Sequence, residues 1–477
     1  MQKHGVPTRS DSGLPDARRA AVPSGPDQAT AAPTRARWLI ILVLFVVSTI
    51  NYADRATLSI VGTDLSRDLQ LDAVTLGYLL SAFSWTYVAL QIPGGWLLDR
   101  AGSRRVYRWS LLGWSAFTMA QAVVAVLGAG RLAITTLFGL RLGLGAAEAP
   151  SFPANSRLVA VWFPTAERGL ASAIFNASQY FSTVLFYPVM GALTHHFGWP
   201  WVFVVMGAVG LVFGLAWNRL VFEPADHPLA NAAEVDHIRR GGGLVDLDRA
   251  GAAKAAPRPG LVWALLRQRM LLGIFLGQYC INVLTWFFLT WFPIYLVRDR
   301  GMSILQVGFV AVLPALCGFI GGILGGVVSD ALLRRGVPLS LARKVPIVAG
   351  LLLSTVIVGC NYVSAQWAVI ALMSLAFFGK GVGALGWAVM SDVAPREATG
   401  LAGGLFNTCG NLAGIVTPIV IGYILQRTGS FEGALVYVGA HALLAVVSFL
   451  IIVGDIRRIE LLPLTGAAAA GPAEAVR

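Results

Sequence analysis

Gly94 to Arg105 reads GGWLLDRAGSRR, and Gly325 to Gly336 reads GGVVSDALLRRG. Each stretch opens on two glycines, carries an aspartate at its sixth position and is rich in arginine toward its end, and Asp99 and Asp330 stand 231 residues apart. Six further pairs keep that offset: Pro164 and Pro395, Gly169 and Gly400, Phe175 and Phe406, Asn176 and Asn407, Gly191 and Gly422, Gly198 and Gly429. Seven matches in one register are beyond chance. The chain is therefore two halves of like structure, related in parallel.

What each half contains follows from its solvent. The 477 residues are 56% hydrophobic and 13% charged, with a mean hydropathy of +0.69, far more apolar than an average soluble domain. Apolar runs long enough to cross a hydrocarbon core of about 30 Å as helices recur along nearly the whole chain. They fall at roughly 38–61, 74–98, 106–128, 132–153, 168–193, 200–222, 270–297, 304–329, 344–362, 366–391, 398–426 and 432–455. The expected fold is an all-α polytopic membrane protein of about twelve transmembrane helices in two parallel-repeat six-helix bundles, 38–222 and 269–456. Short turn signals, Gly128 to Arg131 and Asn361 to Gln366, separate the third span from the fourth and the ninth from the tenth. Residues 1–37 read as a disordered tail, 223–268 as a hydrophilic central loop punctuated by Pro224, Pro228, Gly241 to Gly243, Pro257 and Pro259, and 457–477 as a second tail.

Basic residues set the expected orientation, because Lys and Arg flanking membrane helices are retained in the cytoplasm. Arg35 and Arg37 precede the first span, Arg100, Arg104, Arg105 and Arg108 follow the second, and Arg334, Arg335, Arg343 and Lys344 follow the eighth. With an even number of spans both termini are expected in the cytoplasm, beside Arg457 and Arg458, in a bacterial inner membrane. The net charge of +12 is then a topology signal, not a nucleic-acid footprint. The first apolar run is too long for a secretory h-region and ends in NYADR, so it is expected to persist as a helix. Cys280, Cys317, Cys360 and Cys409 fall inside apolar runs without metal or dithiol spacing, and the six histidines make no metal spacing either; His441 reads as a packing group. Neither cofactor nor metal is expected, and nothing sets the oligomeric state; a monomer suffices.

The residues from Gly95 to Arg105 resemble the loop signature of the major facilitator superfamily, with a weaker counterpart from Gly326 to Arg335. Gly95, Asp99, Arg100, Gly102, Arg104, Arg105, Asp330 and Arg334 are thus candidates for gating: Gly94 and Gly95 allow close helix approach, and Asp99 can cap a helix end or pair with a nearby arginine. NYADRATLS (51–59), LFGLRLGLGAAEAPSFPA (137–154), FNASQYF (175–181), LTWFPIYL (289–296), GKGVGALGWAVMSD (379–392) and LFNTCGN (405–411) resemble the anion:cation symporter family, in its sugar-acid branch of galactonate, glucarate and galactarate carriers. The resemblance spans about 35–456 and implies a proton and substrate site at Asp54, Arg55, Arg141 and Glu148, with sugar-acid contacts at Tyr52, Tyr87, Gln179, Trp387 and Asn407.

The four charged residues stand out without the family. Ionised side chains near the centre of a membrane span cost at least ~2.5–3.5 kcal/mol each, so they mark function or ion pairing. Arg141 and Glu148, seven apart, share one helix face, whereas adjacent Asp54 and Arg55 diverge by about 100° and cannot meet one partner along a regular helix. At the 231 offset Arg141 and Glu148 become Leu372 and Gly379, so these charges are not part of the shared scaffold. A guanidinium offers a permanent charge and a fork matched to carboxylate oxygens, and a buried carboxylate can load and release a proton. Arg55 and Arg141 are the substrate candidates; Asp54 and Glu148 are the proton candidates. Lys380 is open to a gate-pairing or a substrate role, and Asp392 to capping or pairing. Gly379-Lys380-Gly381 lacks the leading glycine and the hydroxyl of a phosphate loop, so ATP-driven pumping is unsupported.

The expected function is secondary active import of a small organic anion, a sugar acid such as galactonate, glucarate or galactarate, by proton symport with alternating access. The alternative is an exporter or antiporter of the same fold, which predicts a glycine-proline signature in the fifth helix; here Tyr187 precedes Pro188, and Gly191 follows. A membrane enzyme would require a catalytic constellation that the sequence does not present.

Overall fold

The computed structural model describes residues 32–247, 260–395 and 398–460, and these are helical almost throughout. Most of both predicted tails, and Pro257 and Pro259 of the central loop, lie outside the described residues. The first half runs α1 (Ala36–Asp68), α2 (Ala73–Ala101), α3 (Ser103–Leu127), α4 (Arg131–Trp162), α5 (Arg168–Phe197) and α6 (Trp199–Leu220). The second runs α7 (Arg269–Thr290, continued by Phe292–Arg298), α8 (Ile304–Arg334), α9 (Leu339–Tyr362), α10 (Gln366–Val393), α11 (Thr399–Thr428) and α12 (Glu432–Ile452). Eleven of these are long and apolar enough to cross a membrane; α5, 30 residues long, is diluted by Asn176, Gln179, His195 and His196. Several helices overrun the predicted spans because a helix continues past the hydrocarbon core for as long as its backbone bonds are satisfied.

Local signals start, stop and bend these helices. Asp72 caps α2 by accepting from the Thr75 N–H, and Ser303 and Gln306 form a reciprocal capping box at α8. Gly198 and Gly429, a repeat pair, end α5 and α11 with φ of 88° and 69°, a region costly for any residue with a Cβ. Prolines follow the interruptions: α4 breaks at Ala149 and Pro150, just after Glu148, and α11 breaks at Leu412, ahead of Pro418. Helix α10 breaks between Val382 and Gly386, just after Lys380.

The two halves meet about a pseudo-two-fold axis that the contacts locate. Ser59 Oγ donates to the Thr290 carbonyl at 2.6 Å, and these residues are themselves 231 apart. Helix α2 crosses α11 where a Cβ on Gly77 would lie 2.6 Å from the Pro418 oxygen, and α8 crosses α5 where one on Gly308 would lie 2.9 Å from the Tyr187 oxygen. The same crossings bring Gly422 onto Ala73 and Gly191 onto Ile304. Every partner is repeat-related: 77 with 308, 187 with 418, 191 with 422, 73 with 304. All these contacts lie on the side remote from the start of α1 and the end of α12, called here the far side. On the near side the same four helices carry Gly95, Gly326, Gly169 and Gly400, two more repeat pairs, and among the described residues none has an atom within 4 Å of a Cβ placed on it. The molecule is closed on the far side and parted on the near side. Sequence reading assigned close approach to both Gly94 and Gly95; only Gly94 makes it, against Pro150, because Gly95 belongs to the parted half of α2.

The central loop is anchored rather than draped. Its helix Ala232–Arg240 brings Glu234, fully buried, onto Arg37 Nη1, which donates to both carboxylate oxygens at 2.8 Å, while Arg37 Nε donates to Glu167 at 2.8 Å. The start of α1, the start of α5 and the loop are tied at one guanidinium.

Candidate substrate and proton site

The charged residues singled out in the sequence meet in the first half. Arg55 of α1 donates Nε to Glu148 Oε1 on α4, and its Nη2 makes the ion pair with the same oxygen, leaving Glu148 Oε2 without a hydrogen bond among the described residues. Its guanidinium lies among three rings, 4.8 Å from Tyr52, 5.0 Å from Phe83 and 4.7 Å from Tyr87. Cation-π attraction and the ion pair hold it from both sides. Arg141, one side of α4 with Glu148, is 2% exposed, and its Nε and Nη1 donate to nothing among the described residues. Asp54 is fully buried, and neither carboxyl oxygen makes a hydrogen bond there. The divergence of adjacent residues on α1 thus separates a paired cation from an unpaired acid. Protonating Asp54 breaks no ion pair; protonating Glu148 releases Arg55.

A cavity between the bundles adjoins this cluster. Tyr52, Gln179, Tyr180 and Thr183 line it from the first half, and Thr285, Phe288 and Phe377 from the second. Among the described residues, Gln179 is held by a single 3.3 Å bond, to the Asn176 carbonyl. Asn407 spans the halves, donating to Gln91 of α2 at 3.1 Å, while Asn411 donates to its carbonyl. Trp387 is 45% exposed, edge-on to Phe406, and does not line the cavity with Gln179. The structure therefore gathers Tyr52, Asp54, Arg55, Tyr87, Arg141 and Glu148, sets Gln179 with Tyr52 on the first-half wall of the cavity, and leaves Asn407 and Trp387 nearer the parted side. Sequence reading did not single out Phe83, Gln91, Tyr180, Thr285 or Phe377. Only Gln91, polar within an apolar run, carried a signal; rings and small hydroxyls on membrane helices read as packing.

The gating candidates separate by partner. Asp99 takes an ion pair from Arg157 of α4, Arg104 donates to the Asn218 carbonyl at 2.6 Å, Arg100 stacks over Trp96, and Gly102 joins α2 to α3 at φ 79°. In the second half Asp330 and Asp392 share Arg343, at 3.4 and 2.8 Å. Arg105 and Arg334 are exposed. His441 bonds the Tyr437 carbonyl, the packing role expected of it.

The sequence profile of the Major Facilitator Superfamily matches residues 44–418. The chain belongs to this superfamily. It is thus a multi-pass membrane transporter and not an enzyme. Among superfamily members it is 57% identical, over 91% of its length and 97% of the relative's, to the probable galactarate/D-glucarate transporter GudP of Escherichia coli (strain K12). It is 56% identical to the protein of that name in Bacillus subtilis (strain 168), over 90% and 94%, and 40% identical to the D-galactonate transporter of Escherichia coli O6:H1, over 90% and 98%. These similarities bear out the resemblance to the sugar-acid branch. The fold matches solved superfamily structures: a D-xylose-proton symporter (TM-score 0.66, 13% identity, 88% of this chain and 98% of that one) and an inward-facing bacterial homologue of the lysosomal transporter Spinster (0.64, 16%, 88% and 95%).

Proposed function

We propose that this chain imports galactarate and D-glucarate across the bacterial inner membrane by symport with protons, with both termini in the cytoplasm. The observation that carries the substrate class is the 57% identity, across almost the full length of both chains, to a probable galactarate/D-glucarate transporter. The site chemistry supports it. Arg141 is a buried guanidinium whose free N–H groups would otherwise be left unsatisfied, and a substrate carboxylate supplies the missing acceptors. Tyr52, Gln179 and Asn407 offer neutral groups for the hydroxyls of a polyol chain, with Tyr87 and Trp387 as the aromatic flanks.

Proton coupling rests on Asp54 and Glu148, two fully buried acids beside two arginines. Basic residues gathered on the near side make that side cytoplasmic, so the arrangement described is inward-open, the far-side glycine crossings being the external seal. The test is uptake of labelled galactarate, D-glucarate and galactonate into proteoliposomes with and without an inward proton gradient. Concentrative aldarate uptake only with the gradient is expected. Gradient-independent equilibration, or no aldarate uptake in protein that is folded and inserted, would overturn the reading.

A further inference from the structure

Lys380 is a buried ionisable group in the membrane that the site described above leaves unused. It is 4% exposed, and among the described residues no carboxylate pairs with it; Asp392, the acid nearest in sequence, is taken by Arg343. A gate-pairing role therefore has no partner here. The fold places this ammonium with care. Gly379 is packed against the Gly350 backbone of α9 and Gly381 against the Gly318 backbone of α8, so the segment cannot rotate without a backbone clash. Lys380 sits in the last turn before the break in α10, where free carbonyls favour a cation. Its Nζ lies 5.6 Å from the Tyr180 ring and 5.1 Å from the Phe377 ring. Both rings line the cavity, which is also lined by Tyr52, the ring that stacks on Arg55.

From this placement we infer that Lys380 receives the second carboxylate of a dicarboxylate substrate, making it the residue that selects an aldarate, charged at both ends, over an aldonate, charged at one. The inference rests on the function proposed above. A six-carbon diacid needs a cation at each end, and the two bundles supply them beside cavity-lining rings: the arginines of the first half, with Arg55 stacked on Tyr52, and Lys380 of the second, next to Tyr180 and Phe377. Charge counting agrees. Three buried cations, Arg55, Arg141 and Lys380, stand against two buried acids, Asp54 and Glu148, so once either acid is protonated at least two positive charges are uncompensated. A dianion compensates two and a monoanion only one, so the monoanion leaves one more positive charge buried and unpaired, which is costly at membrane depth. Bridging the bundles with one substrate also makes its binding sensitive to their separation.

The test is equilibrium binding of galactarate and galactonate to purified wild type, Lys380→Gln, Lys380→Met and Lys380→Arg, read as the ratio of the two affinities, which does not depend on the fraction of folded protein. The expected result is at least a tenfold loss of galactarate affinity in the glutamine and methionine variants, with galactonate affinity changed less than threefold, and a retained diacid preference in the arginine variant. Galactarate monomethyl ester should bind wild type no better than galactonate. Parallel losses for both acids, as a structural role would give, or an unchanged ratio, would overturn the inference while wild-type aldarate binding left the proposed function standing. Absence of wild-type aldarate binding would instead remove the proposed function and the inference with it.

Discussion

Arg55 and Arg141 look equivalent in the sequence and are not equivalent in the fold. Arg55 is committed to Glu148 and caged by three rings, whereas Arg141 keeps two donors free. Arg141→Lys keeps the charge but loses the planar fork, so galactarate binding by calorimetry should weaken about tenfold or more, the loss of one or two charge-assisted bonds. Affinity within twofold of wild type would remove Arg141 from the substrate contacts. The two acids should divide differently. Asp54→Asn replaces an acid that has no ion pair, so substrate binding should stay within a few-fold while proton-driven accumulation disappears. Glu148→Gln should lose accumulation and bind more weakly as well, because Arg55 is left without its partner. Both are read by uptake under an imposed pH gradient beside equilibrium binding in detergent; accumulation at the wild-type level by both variants would sink the assignment.

Among elements, the crossings of α2 with α11 and of α5 with α8 set which side is closed. Gly77→Leu places a side chain where the Pro418 carbonyl already touches, and overpacking of this kind costs about 1–3 kcal/mol, enough to shift a two-state balance about 5- to 160-fold toward far-side opening. Gly308→Leu, its repeat mate, should act alike. Gly95→Leu should do the reverse, since its surroundings are empty in this arrangement and would close on it in the other. Spin labels on the far-side ends of α2 and α11 in a cysteine-free background would read these populations as distances; movement in the same direction for Gly77→Leu and Gly95→Leu would contradict the scheme. The breaks in α4 and α10 follow directly after Glu148 and Lys380, so the helices are interrupted where charge is held in the membrane.

On the proposed function, the whole molecule moves charge as well as substrate. An aldarate dianion carried with one proton takes a net negative charge into a cell that is negative inside, a penalty of about 2.3 kcal/mol per 100 mV. Two protons, one for each buried acid, cancel it. Accumulation of galactarate should therefore respond to a pH gradient and change little when a potassium diffusion potential is imposed at constant pH, as measured by labelled uptake in proteoliposomes. Strong stimulation or inhibition by the potential alone would reject a two-proton electroneutral cycle.

How much of this was legible depended on the range of the interaction. Span positions, the halves and the resemblance were readable because hydrophobic length and the 231-residue offset are written along one chain; Arg131 and Gln366 start their helices where short turn signals placed them. The four charged residues were legible too, because an ionisable group in an apolar run needs no neighbour to be conspicuous. Their division of labour was not. That Arg55 rather than Arg141 pairs with Glu148, that Asp99 meets Arg157, and that Gly95 stands free while Gly94 packs, depend on how helices far apart in sequence lie against one another. Lys380 shows the limit most plainly: by sequence its gate and substrate roles are not separable, and the observations that favour the substrate role proposed for it, burial without a carboxylate partner among the described residues, Asp392 taken by Arg343 and two cavity-lining rings beside the ammonium, all depend on packing between helices far apart in the chain.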